Sequence, residues 1–162
     1  MMADAKFEDG AEQRLSLKAE TPDDLLVLSA LIQDAVLPMA EIHWDRRGRT
    51  VALFLNRFRW EDHAAAETAG RPYERARALL VISGVTALAH QGFDRTGKDL
   101  ILSLLSLAWE AGTDGAGRVI LTLAGDGAIA AAVECIDVTL RDVTRPYVAP
   151  SRHMPRHPEQ AG

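Results

Sequence analysis

Apolar and polar residues alternate along most of this chain, and one early stretch follows a helical period instead. LSLKA (15–19) alternates briefly, as a short first strand would. TPDD (21–24) then reads as a helix start. Thr21 can accept from free backbone amides, Pro22 suits the first helical position, and Asp23 and Asp24 favour the positive end of the helix dipole. Leu25, Leu28, Leu31, Ile32 and Ala35 follow at helical spacing, so the pattern predicts a helix over about 21–36 with one buried face, stopped by Pro38.

From there the period shortens to two. MAEIHWD (39–45), the turn RRGR and TVALFLNRFRW (50–60) read as a β-hairpin. In its second arm Val51, Leu53 and Leu55 point one way, and Phe54, Phe58 and Trp60 the other. EDHAAAETAGRPYE (61–74) reads as a polar loop. ARALLVIS and VTALAHQ, joined near Gly84, are expected to form a second strand pair. DLILSLLSLAWE (99–110) satisfies both periods, and its Gly-rich flanks favour strand. RVILTLAG (118–125) and AIAAAVECIDVTL (128–140) flank a tight turn around Asp126 and Gly127.

These elements predict a single α+β domain over 14–143, between a polar N-terminal tail (1–13) and an irregular tail rich in Pro, Arg and His (144–162). The expected architecture is one N-terminal helix packed on a mainly antiparallel β-sheet of roughly seven or eight strands, curled into a barrel or sandwich.

Several of these segments together resemble a bacterial family, domain of unknown function 2948, seen mainly in alphaproteobacteria. They are LSALIQDAV (28–36), LNRFRWE (55–61), GFDR (92–95), AGDGAI (124–129), VECI (133–136) and PSR (150–152). The resemblance spans about 15–152 and implies no particular chemistry.

Composition narrows the function classes. A formal net charge of −5 over 162 residues gives no reason to expect nucleic acid as the main partner, although Arg46, Arg47, Arg49, Arg57 and Arg59 lie close together. The opening residues lack the apolar run of a signal peptide, and no stretch approaches the roughly 20 apolar residues of a membrane span. With one cysteine, Cys135, no intrachain disulfide can form, and the cytoplasm is the expected compartment.

Candidate chemistry is sparse. GFDRTGKD (92–99) meets seven positions of the phosphate-loop pattern, but Asp99 stands where a hydroxyl must hold magnesium, so a loop between strands is expected. Cys135 has acidic neighbours, Glu134 and Asp137, which oppose a reactive thiolate, and its strand position implies burial. His153 and His157 have a zinc-compatible spacing without a matching cysteine pair. No cofactor or metal is expected. NRFRWE (56–61) combines an aromatic ring with forked donors, a composition common at interaction hot spots. Asp34, Asn56, Arg57, Arg59 and Trp60 are therefore the candidate binding residues, with another protein as the expected partner. The alternative use of the same residues is an internal network in which arginines pair with acids such as Asp34 or Glu61. The expected function is a small non-enzymatic protein-binding module. The competing function is a small hydrolase or transferase with a site gathered from His43, Arg57, Asp94 or Glu134. No feature fixes an oligomeric state.

Overall fold

The computed structural model describes residues 14–93 and 99–148. Strand β1 (Ser16–Ala19) leads into helix α1 (Pro22–Ile32). Thr21 accepts from the amide of Asp24, whose carboxylate accepts from the amide of Thr21 in return. Such a reciprocal cap stabilises a helix by about 1 kcal/mol. Leu25, Leu28 and Ile32 form the buried face, packed against later strands.

The helix ends at Ile32, earlier than Pro38 would require. Asp34 takes a left-handed turn (φ 63°), and its amide donates to the carbonyl of Leu104. The amide of Leu104 donates in return to Ala35. Pairing with a distant strand thus captures residues that the local sequence would leave helical. Pro38 then lies inside a short strand, β2 (Val36–Pro38).

The expected hairpin forms. A 3-10 turn (Met39–Glu41) precedes β3 (Ile42–Asp45), which pairs antiparallel with β4 (Thr50–Phe58). The segment 61–74 is not simply a loop. It carries a 3-10 turn (Trp60–Asp62) and helix α2 (His63–Ala69), which Gly70 ends in the left-handed conformation. Only Ala66 of α2 is buried, so no apolar stripe announces this helix in the sequence.

Strands β5 (Glu74–Ser83) and β6 (Val85–Gln91) follow. They do not pair with each other as expected: β5 lies between β4 and β10 (Val138–Asp142), while β6 pairs with β9 (Ala128–Val133). Gly84, at φ 70°, turns the chain from one half of the sheet into the other, a conformation that costs glycine little. The ambiguous leucine-rich segment is strand β7 (Ile101–Ala111), hairpinned to β8 (Gly117–Leu123). The β8–β9 turn has its left-handed residues at Gly125 and Asp126. The expected run 128–140 breaks after Val133 into β9 and β10, which belong to opposite halves of the sheet. Within the expected tail, β11 (Tyr147–Val148) pairs with the start of β5.

The expected barrel or sandwich of seven or eight strands with a single helix is therefore corrected. The described residues form two helices and one 11-stranded antiparallel sheet that stays open, ordered β1-β10-β5-β4-β2-β7-β8-β9-β6, with β3 beside β4 and β11 beside β5. Both halves of the sheet and α1 contribute to one buried cluster, from Val51, Leu53 and Leu80 to Leu107, Leu121 and Ala131. Closure would require β6 to pair with a further strand, and among the described residues it pairs only with β9.

Candidate functional site

The Asn56–Trp60 cluster sits where the end of β4 meets the end of α1, as the sequence suggested, and its side chains are largely engaged inside the protein. Arg57 shares the inward face of β4 with Val51, Leu53 and Leu55 and is fully buried. Its Nε donates to Asp142 Oδ1 (2.9 Å) and its Nη2 to Asp142 Oδ2 (2.9 Å). The same guanidinium donates to both carboxylate oxygens of Glu61, at 2.9 and 2.7 Å. Burial would lower the Arg57 pKa, but hydrogen bonds to Glu61 and Asp142 outweigh it and hold the side chain charged. Burial likewise pushes the Glu61 carboxyl up, and its bonds from Arg57 bring it below its ordinary value.

Arg59 is also buried and donates to Glu74, with Asp62 3.5 Å away. Asp62 accepts both guanidinium donors of Arg71 at 2.7 Å, and that fork is the main reason its carboxyl is held below the usual range. Asn56 donates to the Tyr147 hydroxyl (2.7 Å) and accepts from Arg75 Nε (2.7 Å). Burial lowers the Arg75 pKa, partly offset by Tyr147 and Asp34. Trp60 donates from Nε1 to the carbonyl of Gln33 (2.8 Å) and stacks edge-on against Phe58. The five candidate residues are thus brought to one region. Arg57 and Arg59 offer no exposed donors there, and the cluster locks β4, β10, β5 and the end of α1 together.

The acid that completes it, Asp142, was not singled out in the sequence. A signal existed: in VTLRD, Val138, Leu140 and Asp142 share one face, so an acid stands at a core position. A buried carboxylate requires a buried cation.

Among the described residues, His43 and Arg57 of the competing hydrolase or transferase reading lie on opposite faces of the sheet. His43 is opposite Ala52 on the outward face of β4, whereas Arg57 points inward. Glu134 pairs with Arg49 (2.8 Å). Asp94 and most of the phosphate-loop resemblance lie outside the described residues, as do His153 and His157. Cys135 is exposed rather than packed in the core, because β9 ends at Val133 and the alternation stops there. Among the described residues no group of three or more His, Cys, Asp or Glu is arranged to hold a metal ion, and no helix is long and apolar enough to cross a membrane.

A second site emerges from the topology. Between β3 and the outer edge of β6 runs a cleft whose apolar part has a volume of about 370 Å³. Met39, Ile42 and Trp44 form one wall, and Leu88, His90 and Phe93 the other. Trp44 and Leu88 also line the adjoining space of about 380 Å³, where Arg46 and Arg49 stand beside Val85. At that end the amide of Val85 donates to the carbonyl of Arg49 (2.9 Å), and the exposed Arg49–Glu134 ion pair lies beside it. No carboxylate lines either part among the described residues. The sequence signal for this site was an absence of charge in VTALAHQ, a strand that turns out to be an edge.

No curated protein and no solved structure matches the chain at a significant level. One family model does match, over residues 15–157, which is most of the chain. The chain belongs to the family described as protein of unknown function DUF2948.

Proposed function

We propose that this protein is a non-enzymatic binding module that takes up an extended segment of another protein along the outer edge of β6. The observation that carries this reading is the character of that edge. β6 is seven residues long, contains no Lys, Arg, Asp, Glu or Pro, and has no described strand on its outer side. Edges of that length are ordinarily blunted by charge, proline or shortness, because their unpaired backbone groups recruit strands. The opposite edge, β1, has such protection: it is four residues long and carries Lys18, which pairs with Glu20 and Asp137. Beneath β6 the apolar cleft offers room for alternate side chains of an added strand, so backbone bonds supply affinity and the cleft selects sequence.

The Asn56–Trp60 network supports this role indirectly by fixing β4, and with it the β3 wall of the cleft. The proposed setting is the cytoplasm, where a single exposed cysteine stays reduced. Selection of displayed random peptides on the native full-length protein tests the reading. Peptides with apolar residues at alternate positions are expected, and Leu88→Glu, which puts a charge in the cleft, should abolish their binding while circular dichroism stays unchanged. Failure to enrich any peptide would remove the reading. So would a concentration-dependent dimer that Leu88→Glu dissociates, since a second copy would then occupy the edge.

A further inference from the structure

We propose that the segment bound along β6 is a protein C-terminus, whose free carboxylate is held by Arg46 at the Val85 end of the cleft. The inference rests on the reading of β6 as a strand-accepting edge. Two independent features of the cleft lead to it.

The first is that the β3 and β6 sides of the groove are joined at one end. The Val85–Arg49 backbone bond joins them beside the β3–β4 turn, with the Arg49–Glu134 pair next to it. A strand paired along β6 from the Phe93 end meets this bond at Val85, so its backbone pairing with β6 ends there.

The second is the charge at that end. Three arginines, Arg46, Arg47 and Arg49, crowd the turn. Arg49 is occupied by Glu134, whereas Arg46 and Arg47 form no ion pair with a described residue. Arg46 lines the cleft beside Trp44 and Val85. A chain terminus seated against an arginine is a carboxylate rather than an ammonium, and a guanidinium fork matches a carboxylate in two parallel hydrogen bonds.

Direction follows from the same geometry. β6 begins at Val85, so a segment ending at Val85 runs antiparallel to it, the more stable of the two pairing modes. At about 3.4 Å per residue, a β6-length groove takes roughly five to seven residues, of which every second one faces Leu88, His90 and Trp44. The terminal side chain enters the space bounded by Trp44, Val85 and Ala87.

Two displayed libraries of random hexapeptides separate this inference from the reading on which it rests. In one library the hexapeptides end in a free carboxylate, and in the other a Gly-Ser tail follows them. Enrichment from the free-terminus library alone is the expected result. Arg46→Gln should then weaken a selected free-acid peptide about tenfold and leave its C-terminal amide unaffected, since the exposed arginine contributes a charge-assisted contact only to the acid. Equal enrichment from both libraries, or equal binding of acid and amide, would overturn the terminal carboxylate while leaving the edge reading intact. Enrichment from neither library overturns both.

Discussion

The guanidinium of Arg57 and the carboxylate of Asp142, 85 positions apart in sequence, meet in a two-bond fork inside the protein, with Asp142 1% exposed and Arg57 not at all. The pair joins β4 to β10. Asp142 Oδ2 also accepts from the amide of Leu15 (3.1 Å), so one carboxylate also fixes the residue that leads into β1. Removing one member of a buried pair strands the other, which costs far more than the intact pair contributes.

Arg57→Ala should therefore lower the stability of the fold by roughly 3–5 kcal/mol, read as a shift of the denaturation midpoint. Arg57→Lys keeps the charge but loses the fork, and should recover only part of that loss. A midpoint unchanged in Arg57→Ala would mean that the network is not structural, and would return Arg57 to the candidate binding residues.

Acid should loosen the same region. Glu61 and Asp62 are both held below their ordinary values in the folded protein. In the unfolded chain such groups protonate near pH 4, and in the folded chain only at lower pH. Their contribution is therefore complete above that range and is lost as pH falls through it towards their folded values. Thermal melting should be nearly level from about pH 5 to 7 and fall steeply below about pH 4. Asp62→Asn should start lower and decline less steeply. Parallel declines for the two proteins would exclude Asp62 as a source of the acid sensitivity.

Cys135 lies past the end of β9 and is exposed. An aromatic disulfide reagent should titrate one thiol per native chain without denaturant, since Cys135 is the single cysteine. Reaction only after unfolding would place the thiol in the core after all.

Much of the fold was legible locally. The TPDD cap and the leucine spacing of α1, the β3–β4 hairpin and the strand nature of β7 follow from short-range chemistry. The parity of Val51, Leu53 and Leu55 continues to Arg57, so its burial had a local signal, yet its forked donors pointed to a binding residue instead. What escaped depends on contacts between distant residues. α1 stops early because Asp34 and Ala35 pair with Leu104, and β5 and β6 separate because Gly84 turns the chain between the two halves of the sheet. The cleft combines the free edge of β6, which pairs with the distant β9, with a wall from the β3–β4 hairpin. No sequence window contains both Trp44 and Leu88.

The edge of β6 as a strand acceptor is tested most directly by amide hydrogen exchange, resolved by residue, with and without a selected free-acid hexapeptide. In the free protein those amides of residues 86–91 that point away from β9 should exchange fast, as unpaired edge groups do. With saturating peptide they should slow by at least about tenfold, while amides of β1, the opposite edge, stay unchanged. Protection that appears on β1 or at the end of β4, with β6 still exchanging freely, would contradict the proposed site.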